Sequence, residues 1–180
     1  RHLLDLLVEA GGGAAERAPL LADASARGYE RAVLDGDERI IMDAPATPDG
    51  PPIQDGKPYS QIAHLAEDVS AFIAVAKALR AKGFNAPEIY TYDLQSGIVL
   101  LKHLGSGGVL DGSGQPIGAR YVEAARCLAA LHRCAWSSSM PVEPGQDHNV
   151  ADYGLDVFCI EADLLLDWYV PWRTGETVSD

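Results

Sequence analysis

The sequence is poor in positive charge. Its 180 residues include 14 Lys and Arg against 26 Asp and Glu, which gives a net charge of −12 at pH 7. Nucleic acids and anionic membranes bind proteins through clustered positive side chains, so this balance argues against both as partners. A small anionic ligand stays open, because it needs only a few local donors.

Cysteine is scarce, and long apolar runs are absent. Cys127, Cys134 and Cys159 are odd in number, widely spaced and without a C-x-x-C pair, which argues against a disulfide framework and a zinc site. No apolar run reaches the ~20 residues that span a bilayer. Residues 1–10 mix apolar with charged residues, unlike a signal peptide. We therefore expect a cytoplasmic protein.

Familiar catalytic motifs are absent too. The sequence contains no G-x-x-x-x-G-K-[ST], G-x-G-x-x-G, G-x-S-x-G or H-E-x-x-H segment. It also has no clustered His and Cys with metal-ligand spacing. Any inference about function must therefore come from the order and content of longer segments.

Strand patterns dominate the first part of the chain. Residues 29–34 and 39–42 flank an Asp-Gly-Asp turn and predict a hairpin, with a first strand beginning at Leu20. Residues 45–58 hold five prolines and two glycines, which predicts a loop. A second hairpin is predicted at 89–92 and 98–101.

Helical patterns lie at the N-terminus, between the hairpins and after them. Apolar residues at helical spacing predict a short helix at 3–8 and a long one over 65–82 that ends at Gly83. After a glycine-rich link at 105–114, the same spacing predicts only helices, over 121–135 and 155–168. Strands followed by helices are typical of an α+β fold, with a boundary near 104–108.

Several segments, taken in order, resemble the aminoglycoside-phosphotransferase family, which has a protein-kinase-like fold. Residues 23–31 and the strand ending Met42-Asp43-Ala44-Pro45 are similar to the opening hairpin of its bacterial anomeric sugar kinases, which act on N-acetylmuramate and N-acetylglucosamine. No single segment is specific. Shared order and spacing carry the resemblance, and the further matching segments are residues 79–89, 97–105, 128–132 and 161–169.

The resemblance implies a kinase-like architecture in two parts. Residues 1–104 would form a nucleotide-binding N-lobe, a small antiparallel sheet plus one helix. Residues 105–180 would form the link and the first helices of an α-helical substrate lobe that is truncated.

The resemblance also implies an ATP site. Backbone amides, a hydroxyl and a guanidinium at a turn are the donors that phosphates need, whereas an ordinary hairpin with a solvated arginine is the alternative. The hinge between the lobes would pair with the adenine edge through its backbone. Ile41, together with Leu100, would form an apolar wall for the base, unless these strand residues are ordinary core residues. The phosphate-binding residues would be Ser25, Ala26, Arg27 and Gly28, and the hinge would be Leu101, Lys102, His103 and Leu104, with His103 exposed.

One position departs from the pattern of protein kinases. Their third strand carries a lysine that holds the phosphates and pairs with a helix glutamate. Here that strand ends Met42-Asp43, and Phe72 lies near the place expected for the acid. The sugar kinases that this chain resembles share the departure, so it does not by itself indicate a dead enzyme. It leaves the phosphate clamp undefined.

Two residues of the last predicted helix are candidates for substrate binding. Glu161 and Trp168 are seven residues apart and share one face of a continuous α-helix. A tryptophan ring stacks on a sugar ring, and a carboxylate accepts hydrogen bonds from sugar hydroxyls. Ordinary helix packing is the alternative interpretation.

The residues that would perform phosphoryl transfer are missing. Kinases of this kind need an aspartate base, and an asparagine and a second aspartate that hold Mg²⁺; the family carries them in H-x-D-x-x-x-x-N and beyond. No H-x-D segment occurs here, and the chain starts at Arg1 and stops at Asp180 just after a helical pattern. We expect a cut from a longer protein, with no catalytic residue and no metal ligand inside this chain.

Three interpretations remain open. The favoured one is an N-terminal fragment of an ATP-dependent kinase that phosphorylates a hydroxyl of an amino sugar, with an aminoglycoside-modifying kinase as a variant. The second is a non-catalytic nucleotide-binding or interaction module derived from a kinase lobe. A structural α+β domain without a ligand is the third.

Overall fold

The computed structural model describes residues 16–20, 27–34, 36–66 and 68–176, and within them the fold is α+β. The expected helix at 3–8 lies outside this part of the chain. The strands are β1 (Glu16–Pro19), β2 (Gly28–Leu34), β3 (Asp37–Asp43), β4 (Pro52–Gln54), β5 (Lys57–Pro58), β6 (Ile89–Asp93), β7 (Ile98–Lys102), β8 (Ser139–Glu143) and β9 (Gln146–Asn149). The helices are α1 (Tyr59–Ile62), α2 (Val69–Ala81), α3 (Gly118–Arg133), α4 (Leu155–Leu164) and α5 (Val170–Thr174), with a π-helical turn at Leu165–Tyr169.

The two predicted hairpins form the main sheet. Five antiparallel strands lie in the order β1-β2-β3-β7-β6. The pairing of β3 with β7 joins the hairpin β2–β3 to the hairpin β6–β7. The first strand ends at Pro19, ahead of Leu20 where it was expected to begin. It is an edge strand, where proline is tolerated because one side of the strand has no ladder partner. Arg17 pairs with Glu30 across β1 and β2 at 2.6 Å.

The two faces of this sheet carry different side chains, because successive strand residues point to opposite sides. Met42 and Val99 are paired across β3 and β7, fully buried, and clustered with Ile73 of α2. Their neighbours Ile41 and Leu100 are also paired and buried, on the opposite side. We call these the helix face and the outer face of the sheet.

Helix α2 begins later than its apolar stripe predicted. Asp68 Oδ1 accepts a hydrogen bond from the Ser70 amide at 2.7 Å, a side-chain cap that satisfies one of the open amides at a helix start. Leu65 therefore lies outside the helix and is half exposed. Gly83, with φ of +84°, follows the end of the helix as predicted.

The proline-rich segment is not a loop throughout. Within residues 45–58, β4 and β5 pair as a short antiparallel hairpin. Its turn is made by Asp55 and Gly56, both with positive φ. The second strand leads directly into α1, so the end of this segment is tied to a helix that the sequence pattern did not predict.

A β-hairpin follows α3, so the expectation that only helices come after the link is wrong. Strands β8 and β9 are antiparallel, and Met140 and Val142 enter the core cluster against α2. The Val142 carbonyl accepts hydrogen bonds from Lys77 Nζ at 2.5 Å and from Tyr92 Oη at 3.3 Å. This junction ties the hairpin to α2 and to β6.

The helices after the link carry much exposed apolar surface. No residue of α3, all of which the structure describes, is buried. Trp168 is 73% exposed and Trp172 77%, and Leu164 and Leu165 are exposed as well. Contiguous apolar surface of this kind is typical of an interface or a binding groove. None of the helices in the described ranges is long and apolar enough to cross a membrane.

We predict that Gly97→Ala destabilises the sheet far more than Gly36→Ala. Both glycines have positive φ, +74° and +85°, so alanine costs about 1–2 kcal/mol of backbone strain at either position. A Cβ at Gly97 would lie 2.3 Å from the Ala44 carbonyl oxygen, whereas one at Gly36 meets no described atom within 4 Å. Urea unfolding of both variants measures the difference. Equal losses of unfolding free energy would contradict the close approach of the two strands.

Candidate functional site

The described part of the predicted phosphate loop lies at one end of the sheet. Ser25 and Ala26 fall outside the described residues, whereas Arg27 and Gly28 lead into β2. Gly28 is paired with the last residue of β3, and the Arg27 guanidinium lies over the Phe72 ring, with Cζ 6.0 Å from the ring centroid. That distance is at the outer limit of a cation–π interaction. The loop therefore carries a positive charge against helix α2.

The end of β3 that packs against α2 is apolar and carries no lysine. Met42 is fully buried and lies in the cluster that Ile73 of α2 belongs to, and Phe72 packs against this cluster. A thioether and two hydrocarbon side chains have no donor for a phosphate oxygen. The Arg27 guanidinium, over the Phe72 ring, brings a positive charge to this side of α2.

The four predicted hinge residues stand where β7 ends. Leu101 and Lys102 close the strand, and His103 and Leu104 follow it. The Lys102 amide already donates to the Glu88 carbonyl at 2.8 Å. The hinge is thus anchored to the segment before β6 by its backbone.

The side chain of His103 is half-buried rather than exposed as expected. Its Nδ1 lies 3.0 Å from Glu38 Oε2, and the other oxygen of Glu38 accepts from Arg31 at 2.8 Å. This three-residue cluster joins β2, β3 and the hinge. Exposed pairs of this type contribute about 0–1 kcal/mol each, so the cluster acts mainly by fixing where the hinge leaves the sheet.

The predicted adenine contacts do not all share one face. Leu101 is paired with Ile40 on the helix face, and Ile40 is half-buried. Ile41, which the sequence offered as a wall for the base, is paired with Leu100 on the outer face. Sequence alone does not separate neighbours in a strand, because the register of the sheet decides which of them faces a helix.

The glycine-rich link is more ordered than its composition indicated. Asp111 Oδ1 accepts from the amides of Ser113 at 2.8 Å and Gln115 at 2.9 Å. The Ser113 hydroxyl, together with these amides, lowers the pKa of the Asp111 carboxyl. Leu110 and Pro116 bridge across the same turn, and Arg120 of α3 contacts the Gly108 carbonyl. The link therefore contains a turn that is closed by hydrogen bonds to the Asp111 carboxylate.

A groove of about 520 Å³ separates the β4–β5 segment from the last helices. Trp168, Asp163 and Asp167 line it on the helical side, and Tyr59 lines it on the other. Tyr59 Oη donates a hydrogen bond to Glu161 Oε1 at 2.5 Å. Both candidate substrate residues therefore lie near Tyr59. Trp168 lines the groove with it, and Glu161 accepts a hydrogen bond from its hydroxyl.

A π-helical turn alters the predicted relation between these residues. The spacing of seven places Glu161 and Trp168 on one face only if the helix is α-helical throughout. Leu165–Tyr169 is π-helical, and its wider turn rotates the residues that follow it relative to α4. Trp168, inside that turn, borders the groove, and Glu161 of α4 is bonded to Tyr59.

Potential metal ligands are not clustered in the described part of the chain. Among the residues that the structure describes, no group of three or more His, Cys, Asp or Glu is arranged to hold a metal ion. Asp163 and Asp167 are two carboxylates on one side of an open groove, which is fewer oxygen ligands than Mg²⁺ takes from a protein and its substrate together. The described residues thus supply no complete Mg²⁺ site.

Comparison with known proteins gives one family and one curated relative. Residues 16–157 match the phosphotransferase enzyme family. Over 152 residues the chain is 31% identical to an N-acetylmuramate/N-acetylglucosamine kinase of Caulobacter vibrioides. The match covers 79% of this chain and 39% of that protein, so the chain spans well under half the length of this relative. No solved structure matches significantly.

We predict that part of the stability of the protein is lost between pH 10 and 12 through Tyr59. Its hydrogen bond to the Glu161 carboxylate raises the pKa of the tyrosine hydroxyl from 10.0 to about 12. The folded state holds this proton more tightly than the unfolded chain does. The contribution of this hydrogen bond to stability is therefore complete below pH 10 and is lost as the pH rises to about 12.

Thermal unfolding across this pH range tests the prediction. The unfolding midpoint of Tyr59→Phe is expected to fall less steeply with rising pH than that of the unchanged protein. Tyr90→Phe, in strand β6, is the matched control and is expected to keep the original slope. A slope that Tyr59→Phe leaves unchanged would contradict the coupling of Tyr59 to Glu161.

Proposed function

The chain belongs to the phosphotransferase enzyme family, and on that premise we propose that it is part of an ATP-dependent kinase that phosphorylates a hydroxyl of a small molecule. The observation that carries this proposal is the five-stranded antiparallel sheet with α2 packed on one face, inside the stretch that matches the family. Residues 1–104 form the nucleotide-binding lobe. Residues 105–180 form the link and the beginning of a helical substrate lobe.

The adenine lies on the helix face of the sheet, at the hinge. Leu101 closes β7 on that face and Ile40 is its partner on β3, so these two side chains are better placed as walls for the base than Ile41. Because the Lys102 amide donates to Glu88, the purine edge pairs with the backbone of His103 and Leu104. A hinge of this kind recognises the base through shape and backbone groups, so its side chains matter less.

The phosphates lie at the end of the sheet where β2 begins. Arg27 provides a charge-assisted contact there, and Ser25, Ala26 and Gly28 provide further donors. Support comes from the position of Arg27, which the structure puts at the start of β2 and against α2. The reaction uses Mg²⁺, and its ligands are residues other than those that the structure describes.

The phosphate acceptor is an amino sugar bound in the groove beside Tyr59. Trp168 offers a ring face for a sugar, and the carboxylates of Glu161, Asp163 and Asp167 accept hydrogen bonds from hydroxyl or ammonium groups. The kinase of Caulobacter vibrioides named above supports an N-acetylated amino sugar as the acceptor. The acidic lining supports the variant within the same class, a kinase for cationic aminoglycosides.

A second candidate function rests on a specific observation. Strand β3 carries no lysine, whereas protein kinases hold the phosphates with a lysine on their third strand. A lobe without that lysine also suits a non-catalytic module that binds a nucleotide and regulates a partner. ATP binding without phosphoryl transfer by the whole gene product would favour this alternative.

The first experiment is an ATP titration of the purified chain. ATP with Mg²⁺ is expected to raise the thermal unfolding midpoint saturably, and more than GTP or free phosphate, because a ligand that binds only the folded state stabilises it. Arg27→Ala is expected to weaken ATP binding about tenfold or more, since a hydrogen bond to a charged group contributes about 1.5–3 kcal/mol. No midpoint shift in a folded sample would contradict the nucleotide site.

The matched control for this variant is Arg126→Ala. Arg126 pairs with Glu123 on the exposed helix α3, far in the chain from the phosphate loop. The same loss of charge there is expected to leave ATP binding unchanged. Equal weakening by both variants would mean that net charge, and not a local contact, governs the affinity.

We also expect the 180-residue chain to be inactive by itself. It lacks an H-x-D segment that would supply the aspartate base and the Mg²⁺ ligands. Formation of sugar phosphate from ATP, measured with N-acetylglucosamine and N-acetylmuramate as acceptors, should not exceed a control without protein. Turnover by the isolated chain would show that the catalytic residues lie within it.

A further inference from the structure

The pair that fixes the phosphates in protein kinases is replaced here by a different pair. In those enzymes a strand lysine holds the phosphates, and a helix glutamate holds the lysine. In this chain β3 has no lysine and ends in the buried Met42 and in Asp43, and Phe72 of α2 packs against the core cluster that Met42 belongs to. The Arg27 guanidinium stands over the ring of Phe72.

We propose that Phe72 is a positioning residue that aims Arg27 at the ATP phosphates, so that a cation–π contact takes the place of the lysine–glutamate pair. The inference rests on the proposed function of this lobe as an ATP site. It goes further in assigning a role to a helix residue that touches no ligand.

The chain path supports this assignment. Arg27 directly precedes Gly28, and Gly28 is paired with Asp43, the residue after Met42. Arg27 therefore lies just before β2 and next to the end of β3, the third strand, which carries the lysine in protein kinases. A cation supplied by the loop before β2 can in this way replace one supplied by β3.

The ring that receives Arg27 has a fixed position. Phe72 is half-buried and packs against the core cluster that holds α2 on the sheet. Arg27 and Phe72 also border one concave surface, together with Val75 and Pro87. Because the core sets where the ring lies, α2 determines where the guanidinium can rest.

The chemistry of the pair differs from that of a salt bridge in a useful way. An aromatic ring attracts a cation through its quadrupole, whereas a glutamate attracts it through its own negative charge. A guanidinium stacked on a ring also keeps the N–H groups at its edge directed sideways. Those groups form the two-pronged contact that phosphate oxygens accept.

The test compares ATP with adenosine in three variants of the folded chain by calorimetric titration. Phe72→Leu is expected to lower ATP affinity about twofold to fivefold, the range of an exposed cation–π contact, and to leave adenosine affinity unchanged. Phe72→Tyr keeps the ring face and is expected to retain ATP affinity. Phe84→Leu is the matched control, because Phe84 stacks on Trp136, 6.0 Å away between centroids, and not on an arginine.

The outcomes separate this inference from the proposed function. If the unchanged chain fails to bind ATP, both are overturned. If it binds ATP and Phe72→Leu binds ATP as tightly, only the role of Phe72 is overturned. Equal loss of ATP and adenosine affinity in Phe72→Leu would likewise overturn it, because it would indicate a general packing defect that no phosphate contact explains.

Discussion

The structure depends most on the burial of one helix against one face of the sheet. Ile73 of α2 and the strand residues Met42 and Val99 are fully buried together. Burying an apolar side chain of this size contributes about 1.5–3 kcal/mol, and truncating one such residue to alanine costs about 2–5 kcal/mol. The same helix carries Phe72 and Lys77, so its packing also decides where the candidate phosphate clamp and the contact to the late hairpin lie.

Local patterns in the sequence were enough to predict the sheet hairpins and the end of α2. Short runs of apolar residues on either side of a glycine-containing turn indicate the strands, and Gly83 ends the helix because it adopts positive φ without strain. The pattern could not predict the start of α2, because apolar residues continue at helical spacing from Leu65 past the capping residue Asp68. The hairpin at 139–149 was not predicted, because only two residues, Met140 and Val142, point inward and a proline separates them.

The candidate site was predictable only in part, because its pieces meet through distant contacts. The resemblance supplied the phosphate loop and the hinge as segments, but the choice between Ile40 and Ile41 requires the register of β3 on β7. Tyr59 and Glu161 are 102 positions apart, and nothing local in either segment points to the other. The π-helical turn at Leu165–Tyr169 follows no signal in the spacing of its apolar residues.

The Val142 carbonyl has a consequence for how the protein opens. It accepts from Lys77 on α2 and from Tyr92 on β6, so a single oxygen joins these two elements to a hairpin that lies 50 or more residues later in the sequence. Withdrawing the β8–β9 hairpin breaks both hydrogen bonds and uncovers the side of α2 that packs against Met140 and Val142. The helix and the hairpin therefore form one cooperative unit of local unfolding. A piece of chain that follows the link thus sets the rigidity of the helix that lies before it.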